Sequence, residues 1–300
     1  MEIIKVIPRG YCQGVVRAIR IAQETAINYP DRTIFMLGMI VHNRHVVQEC
    51  EKLGIHCLES AGLTRLELLD QIDEGIVIFT AHGVSDAVYE KARKKGLTII
   101  DATCPDVEKT HRLIRDHSKN GDVLYIGKKN HPEAEGALGI SDRVHLISEP
   151  DDLAALDSLE NVLITNQTTL SMLDTQTLID ACLRKYPDAS VSPEICNATT
   201  MRQKAVMKLT DTDLLIVVGD PHSNNSNQLR EIGKKAGIPA ALLIETADDL
   251  KEEMIKDKAR IAVTSGSSTP TALTDAVIAT LTHYAETGEF IRIPEAAAIL

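Results

Sequence analysis

The chain has 300 residues, 25% charged and 44% hydrophobic, with no tryptophan and a formal net charge of −11. That charge argues against nucleic acid as the main partner, and aromatic residues at 3% leave no stacking platform for bases. No apolar run approaches the roughly 20 residues of a membrane span, and the N-terminus reads straight into a strand, so a cytoplasmic protein with reduced or metal-bound cysteines is expected.

Short apolar runs alternate with helix-length amphipathic stretches along the whole chain. The first third offers strands at Ile3–Ile7, Thr33–Gly38, His56–Glu59 and Gly75–Ala81. The second offers Leu97–Ala102, Asp122–Gly127, Arg143–Ser148 and Asn161–Asn166. The last offers Ser190–Glu194, Leu214–Gly219, Ala240–Glu245 and Arg260–Ser265. Continuous apolar runs such as Leu214–Gly219 suit parallel strands covered on both faces, and the helices between them suit right-handed βα crossovers. Pro193 interrupts Ser190–Glu194, so that segment is expected at an edge or bent.

Cys12, Cys104 and Cys196 recur at an interval of 92 residues, each where a strand ends and a helix begins. Such a return of one residue to one local context marks a module built three times. The expected fold is α/β: three similar lobes in a pseudo-threefold trefoil, each with a small, mostly parallel sheet flanked by helices. The lobes are drawn at 1–96, 97–189 and 190–300, with room for the N-terminal segment to pack with the third. On a threefold-like axis the three thiols meet. Spacing alone leaves zinc and an iron–sulfur cluster both open. Cys50, Cys57 and Cys182 fall within helix and strand patterns and read as packing residues.

The repeat extends to the polar loops. After the second strand of each third come GMIVHNRHVV, IGKKNHPEAEG and VGDPHSNNSNQL, carrying His42, His131 and Ser223. After the fourth come TAHGVS, TNQTTLS and TSGSSTP, carrying His82, Thr168 and Ser268. All lie beyond carboxyl ends of strands, where parallel α/β sheets bind ligands. His42, His82, His131, Ser223, Asn225 and Ser268 are short donors near helix starts, and helix N-termini suit a phosphate or diphosphate; for Ser223 or Ser268 taken singly helix capping is the better explanation, but six such donors at matched repeat positions favour a shared ligand. No Walker motif and no GxGxxG is present, so a nucleotide is not indicated. Glu133 and Glu135 follow His131, and either could carry a proton into a pocket of neutral donors.

RGYCQGVVRAI, VHN, TAHGV, DATCP, NHPE, NQTTLS, EICNAT, SNNSN and GSSTP together resemble the 4-hydroxy-3-methylbut-2-enyl diphosphate reductase family of the non-mevalonate isoprenoid pathway. The resemblance runs from residue 9 to about 270. It implies a [4Fe–4S] cluster with three cysteine ligands, at Cys12, Cys104 and Cys196, and one open iron. It implies diphosphate contacts at His42, His82, His131, Ser223, Asn225 and Ser268. It places Thr168 and Glu133 at the substrate hydroxyl, with Glu133 the proton source and His131 beside it. The implied reaction removes that hydroxyl reductively and yields isopentenyl and dimethylallyl diphosphate. Electrons come one at a time from a donor such as ferredoxin or flavodoxin. Where the family commonly shows Ser-Ser-Asn, this chain has Ser223-Asn224-Asn225, so Asn224 is expected to meet the diphosphate through its backbone. A zinc-stabilised binding protein for a phosphorylated metabolite is the alternative from a different class.

Overall fold

The computed structural model describes residues 1–60, 62–296 and 299. Its strands are β1 (Glu2–Lys5), β2 (Ile34–Leu37), β3 (Ile55–Leu58), β4 (Ile76–Phe79), β5 (Thr98–Asp101), β6 (Val123–Ile126), β7 (Val144–Ile147), β8 (Leu163–Asn166), β9 (Ser190–Val191), β10 (Leu214–Val218), β11 (Ala240–Ile244) and β12 (Arg260–Ser265). Its α-helices are α1 (Gln13–Asn28), α2 (Arg44–Lys52), α3 (Arg65–Leu68), α4 (Asp86–Lys94), α5 (Pro105–His117), α6 (Pro132–Leu138), α7 (Met172–Lys185), α8 (Asn197–Met207), α9 (Asn224–Lys235), α10 (Glu252–Ile255) and α11 (Thr271–Thr287).

The strands form three four-stranded sheets, ordered β3-β2-β4-β5, β7-β6-β8-β9 and β1-β12-β10-β11. Every pairing is parallel. The fold class is therefore α/β with three similar sheets, and each expected strand overlaps an observed one. The repeat and the sheet are offset by one strand, however. β5 and β9, which lead into Cys104 and Cys196, close the sheets of the preceding repeats, and β1 closes the sheet of β10–β12. A lobe drawn by sheet thus runs one strand further than one drawn by repeat. The register puts Glu2 beside Arg260, a pairing of chain ends that no local pattern announces. β9 stops after two residues, both exposed, two positions before Pro193. A proline cannot donate to the ladder, which accounts for the short edge.

The chain divides into two compact units. The first comprises Met1–Gln13, His42–Glu49 and the chain from Asn197 onward, and holds the sheet of β10. Along β10, Leu214, Ile216 and Val218 pack with Val277 and Leu281 of α11, while Leu215 and Val217 pack with Leu229 and Ile232 of α9. Both faces are covered, which is why LLIVV is apolar throughout rather than alternating. The second unit comprises Gly14–Val41 and Cys50–Cys196 and holds the other two sheets. There β6 repeats the arrangement, with Leu124 and Ile126 in one apolar cluster and Val123 and Tyr125 in another. Among the described residues no helix is long and apolar enough to cross a membrane.

Candidate active site

The three repeat cysteines have one backbone setting. Each follows the last strand of a sheet, and each donates its N–H to the loop beyond the neighbouring strand. Cys12 bonds the Ser267 carbonyl at 3.0 Å, Cys104 that of Ala81 at 3.0 Å and Cys196 that of Thr168 at 3.1 Å. The accepting carbonyls lie in TSGSSTP, TAHGVS and NQTTLS, so the loops matched by sequence are matched in hydrogen bonding too. All three cysteines stand outside any disulfide and are half-buried. Cys104 is the N-cap of α5, with Pro105 at the first helical position. Cys182 is buried and free of this setting, and burial pushes its thiol up to about 11; burial likewise raises Cys57 to about 12. Those two are inert by comparison. The first set therefore suits soft thiolate ligation. Among the described residues no three His, Cys, Asp or Glu side chains surround one point as ligands of a single ion would. A four-iron cluster takes one thiolate on each of three irons, so its ligand sulfurs do not share a point.

Within the second unit, His82, His131, Glu133 and Thr168 are brought together. His131 caps α6, and its Nδ1 accepts from the Glu133 N–H at 3.1 Å. Nδ1 thus carries no proton, and the neutral ring holds its proton on Nε2, a donor for an anion. His82 stands edge-on to His131 with ring centroids 5.8 Å apart. Gly83 follows it with φ of +73°, and a side chain there would press into the buried ring of His111. His111 has no sequence motif of its own and is a packing support for this loop. Its burial lowers its pKa to about 4, so it packs as a neutral ring.

Glu133 is 2% exposed. Its Oε1 accepts from the Thr168 N–H at 2.6 Å and its Oε2 from the Thr168 hydroxyl at 3.1 Å. Desolvation nonetheless prevails over these bonds and raises its pKa to about 7, with Asp106 adding in the same direction. Glu135, the other sequence candidate, is taken. The N–H of Arg65 donates to its Oε1 at 2.6 Å, and the Arg65 guanidinium to its Oε2 at 3.3 Å. Two residues apart on one helix, the two carboxylates face opposite ways.

In the first unit, His42, Ser223, Asn224, Asn225 and Ser268 lie on loops at carboxyl ends of strands. Ser223 caps α9, its Oγ accepting from the Ser226 N–H at 3.3 Å. Asn224 and Asn225 form the first turn of α9, 5% and 3% exposed. The Asn225 Nδ2 is buried with no hydrogen-bond partner among the described residues. An orphaned donor of this kind is costly unless a ligand meets it. Ser268 donates its hydroxyl to the His42 carbonyl at 2.9 Å, so it links two candidate residues. Asp220, absent from the sequence reading, accepts from the Arg44 N–H at 3.0 Å and so ties the start of α2 to the α9 loop. Gly219 and Gly266 leave room for Ser226 under that loop; a Cβ at either would meet its hydroxyl at 2.3 or 2.1 Å.

Comparisons with known proteins identify the family. The family model for LytB protein matches residues 3–282. A 4-hydroxy-3-methylbut-2-enyl diphosphate reductase of Brevibacillus brevis is 52% identical over 95% of this chain and 93% of its own. One of Bacillus thuringiensis is 51% identical over 95% of this chain and 91% of its own. The solved E-1-hydroxy-2-methyl-but-2-enyl-4-diphosphate reductase of Plasmodium falciparum shares 33% identity and a TM-score of 0.88, covering 99% of this chain and 93% of that one. A second solved structure, described as the terminal enzyme of the non-mevalonate pathway, shares 31% identity and a TM-score of 0.65 over 94% of this chain and all of the other. With relatives this close over nearly the whole length, the chain belongs to the LytB family, and its activity is that of a 4-hydroxy-3-methylbut-2-enyl diphosphate reductase.

Proposed function

We propose that Cys12, Cys104 and Cys196 hold the iron–sulfur cluster of this family as a [4Fe–4S] group with one iron left without a protein ligand. The observation that carries the reading is the shared bond from each cysteine N–H to the loop of the neighbouring strand, repeated at Cys12, Cys104 and Cys196. When bound, the cluster supplies electrons singly and a Lewis-acidic iron for the substrate hydroxyl.

The chain's own residues bind the diphosphate and hold the proton. His131 offers Nε2–H, His82 its ring, and Asn225 its buried amide; His42, Ser223 and Ser268 complete the set, with Asn224 acting through its backbone. Side-chain donors near helix N-termini suit an anion. Glu133 is the acid. Its Oε1 is held by a backbone N–H, so the proton resides on Oε2, beside the Thr168 hydroxyl at 3.1 Å. Thr168 then passes that proton to the leaving hydroxyl by accepting with one lone pair and donating its own hydrogen. A raised pKa of about 7 keeps the proton available at neutral pH. The products are isopentenyl and dimethylallyl diphosphate, the electron donor is a one-electron carrier such as ferredoxin or flavodoxin, and the setting is cytoplasmic.

Anaerobic iron, sulfide and zinc analysis tests this. Cys104→Ser should lose most of its iron and activity, whereas Cys182→Ser keeps both, because its buried thiol only packs. Equal loss in two folded variants, or zinc in place of iron and sulfide, would sink the assignment.

A further inference from the structure

Each helix that follows a repeat cysteine carries a cation about a turn and a half along. Arg17 lies five residues after Cys12, Lys109 five after Cys104 and Arg202 six after Cys196. Each reaches the segment just before a different cysteine. Arg17 donates to the Thr103 carbonyl at 2.8 Å, one residue before Cys104. Lys109 meets the Glu194 carboxylate at 2.8 Å, two residues before Cys196. Arg202 donates to the Gly10 carbonyl at 2.7 Å, two residues before Cys12. The order closes on itself: the helix of Cys12 serves Cys104, that of Cys104 serves Cys196, and that of Cys196 serves Cys12.

We infer that Arg17, Lys109 and Arg202 are positioning residues for the three cysteines, each fixing the segment that precedes the next one and bringing a cation within one or two residues of it along the chain. The inference rests on the cysteine assignment above. Nothing in ordinary packing requires a cation at the same place after all three cysteines. The loops need such fixing. Gly10 takes φ of +74°, with its N–H on the Ser265 hydroxyl at 2.7 Å and its carbonyl on Arg202, so the turn into Cys12 is pinned at both ends. Glu194 is 8% exposed, and a buried carboxylate needs a counter-charge; Lys109 supplies one while Ser192 and Asn166 bond its other oxygen and its backbone. A cation near a cluster favours the more negative, reduced state.

The three are graded by burial. Arg202 is 3% exposed, Arg17 is half-buried, and the Lys109 side chain is 65% exposed. The effect falls in that order, since solvent screens an exposed charge. The test takes Arg202→Met, Arg17→Met and Lys109→Met as holoenzymes and reads two quantities: the midpoint potential of the cluster and the rate of iron loss to a chelator under exclusion of oxygen. Arg202→Met and Arg17→Met should lower the potential and lose iron about five- to tenfold faster, and Lys109→Met about twofold faster. Lys109→Arg should return both readings to the parent values, which mere repair of packing would not do for the potential. Parent-like potentials and iron loss in the Met variants would overturn the inference. Lys109→Met changes an exposed side chain, so it decides the matter if Arg202→Met does not fold. A parent protein that takes up no iron and sulfide would overturn the cysteine assignment instead, and the inference with it.

Discussion

Glu133 and Asn225 are both withdrawn almost completely from water, at 2% and 3% exposed, yet they are treated in opposite ways. Both oxygens of Glu133 are met by Thr168, while the amide nitrogen of Asn225 has no hydrogen-bond partner among the described residues. The satisfied group is the one driven off its ordinary pKa, because two bonds do not replace the hydration of a full charge. The orphaned group is neutral and can wait for a partner at lower cost. The proposed proton store and the proposed anion hook thus need different burial. The first wants a site that dislikes the charged form, and the second wants a donor that only the ligand can satisfy.

The sharpest way to break this comparison is Glu133→Gln. The amide keeps the shape and cannot deliver a proton, so kcat should fall about 10²- to 10⁴-fold with the iron content unchanged and KM little altered. In the parent protein, kcat should decline as pH rises through about 7, where Glu133 loses its proton. Stability carries the same signature. The carboxyl rises from 4.5 to about 7 on folding, so between those values the folded chain holds a proton the unfolded chain has released. Stability is then full below about 4.5 and is lost as pH rises toward 7. Urea unfolding of Glu133→Gln across that window should be flat where the parent slopes downward. Near-normal turnover of the variant would move the acid role elsewhere.

Asn225→Ala probes the other side. Loss of a hydrogen bond to a charged phosphate oxygen is worth about 1.5–3 kcal/mol, so KM should rise roughly ten- to a hundredfold while kcat holds. Without substrate the variant should unfold within about 1 kcal/mol of the parent, since the amide nitrogen has no partner among the described residues and the oxygen gives up only a long 3.5 Å bond from the Thr199 hydroxyl. A large drop in stability with an unchanged KM would make Asn225 a structural residue.

Thr168→Val is milder. It removes the hydroxyl at 3.1 Å from Glu133 and leaves the backbone bond at 2.6 Å in place. One hydrogen bond to the ionised form is lost, so the alkaline limb of the pH profile should move upward by up to about one unit. Turnover at low pH should fall by about threefold to tenfold as the relay is broken. A profile shifted downward would show that the hydroxyl stabilises the protonated acid instead.

Local chemistry made most of this legible in the sequence. Continuous apolar runs such as LLIVV report burial on two faces, and Pro193 reports a weak edge, so strands and their parallel sense could be read from the chain. Strand pairing could not. β1 pairs with β12 across the whole chain, and only the sheet reveals that the repeat unit and the sheet are one strand out of step. Local chemistry leaves Glu133 and Glu135 both open and only the family resemblance singles out Glu133; the structure adds that Arg65, from a distant helix, engages Glu135. Arg17, Lys109 and Arg202 were overlooked as ordinary helix cations. Their near-equal distance after each cysteine was the available signal.

The smallest effect expected is at Asn224, where the chain departs from the common Ser-Ser-Asn of its family. Asn224 opens α9, directly after the Ser223 cap, and is 5% exposed. At the first position of a helix the backbone N–H has no partner within the helix and points out of its end. A diphosphate approaching α9 is therefore met by that amide whatever the side chain. Asn and Ser each bring a side-chain donor, but Asn is longer and adds an acceptor that repels a phosphate oxygen at close range. If the anion contacts the backbone, shortening the side chain changes little. Asn224→Ser should then alter KM by less than about threefold, under ~1 kcal/mol, in steady-state kinetics with a chemical reductant. A larger effect at Asn224 than at Asn225→Ala would mean that the two residues exchange roles, with the side chain of Asn224 on the anion and that of Asn225 holding the helix start.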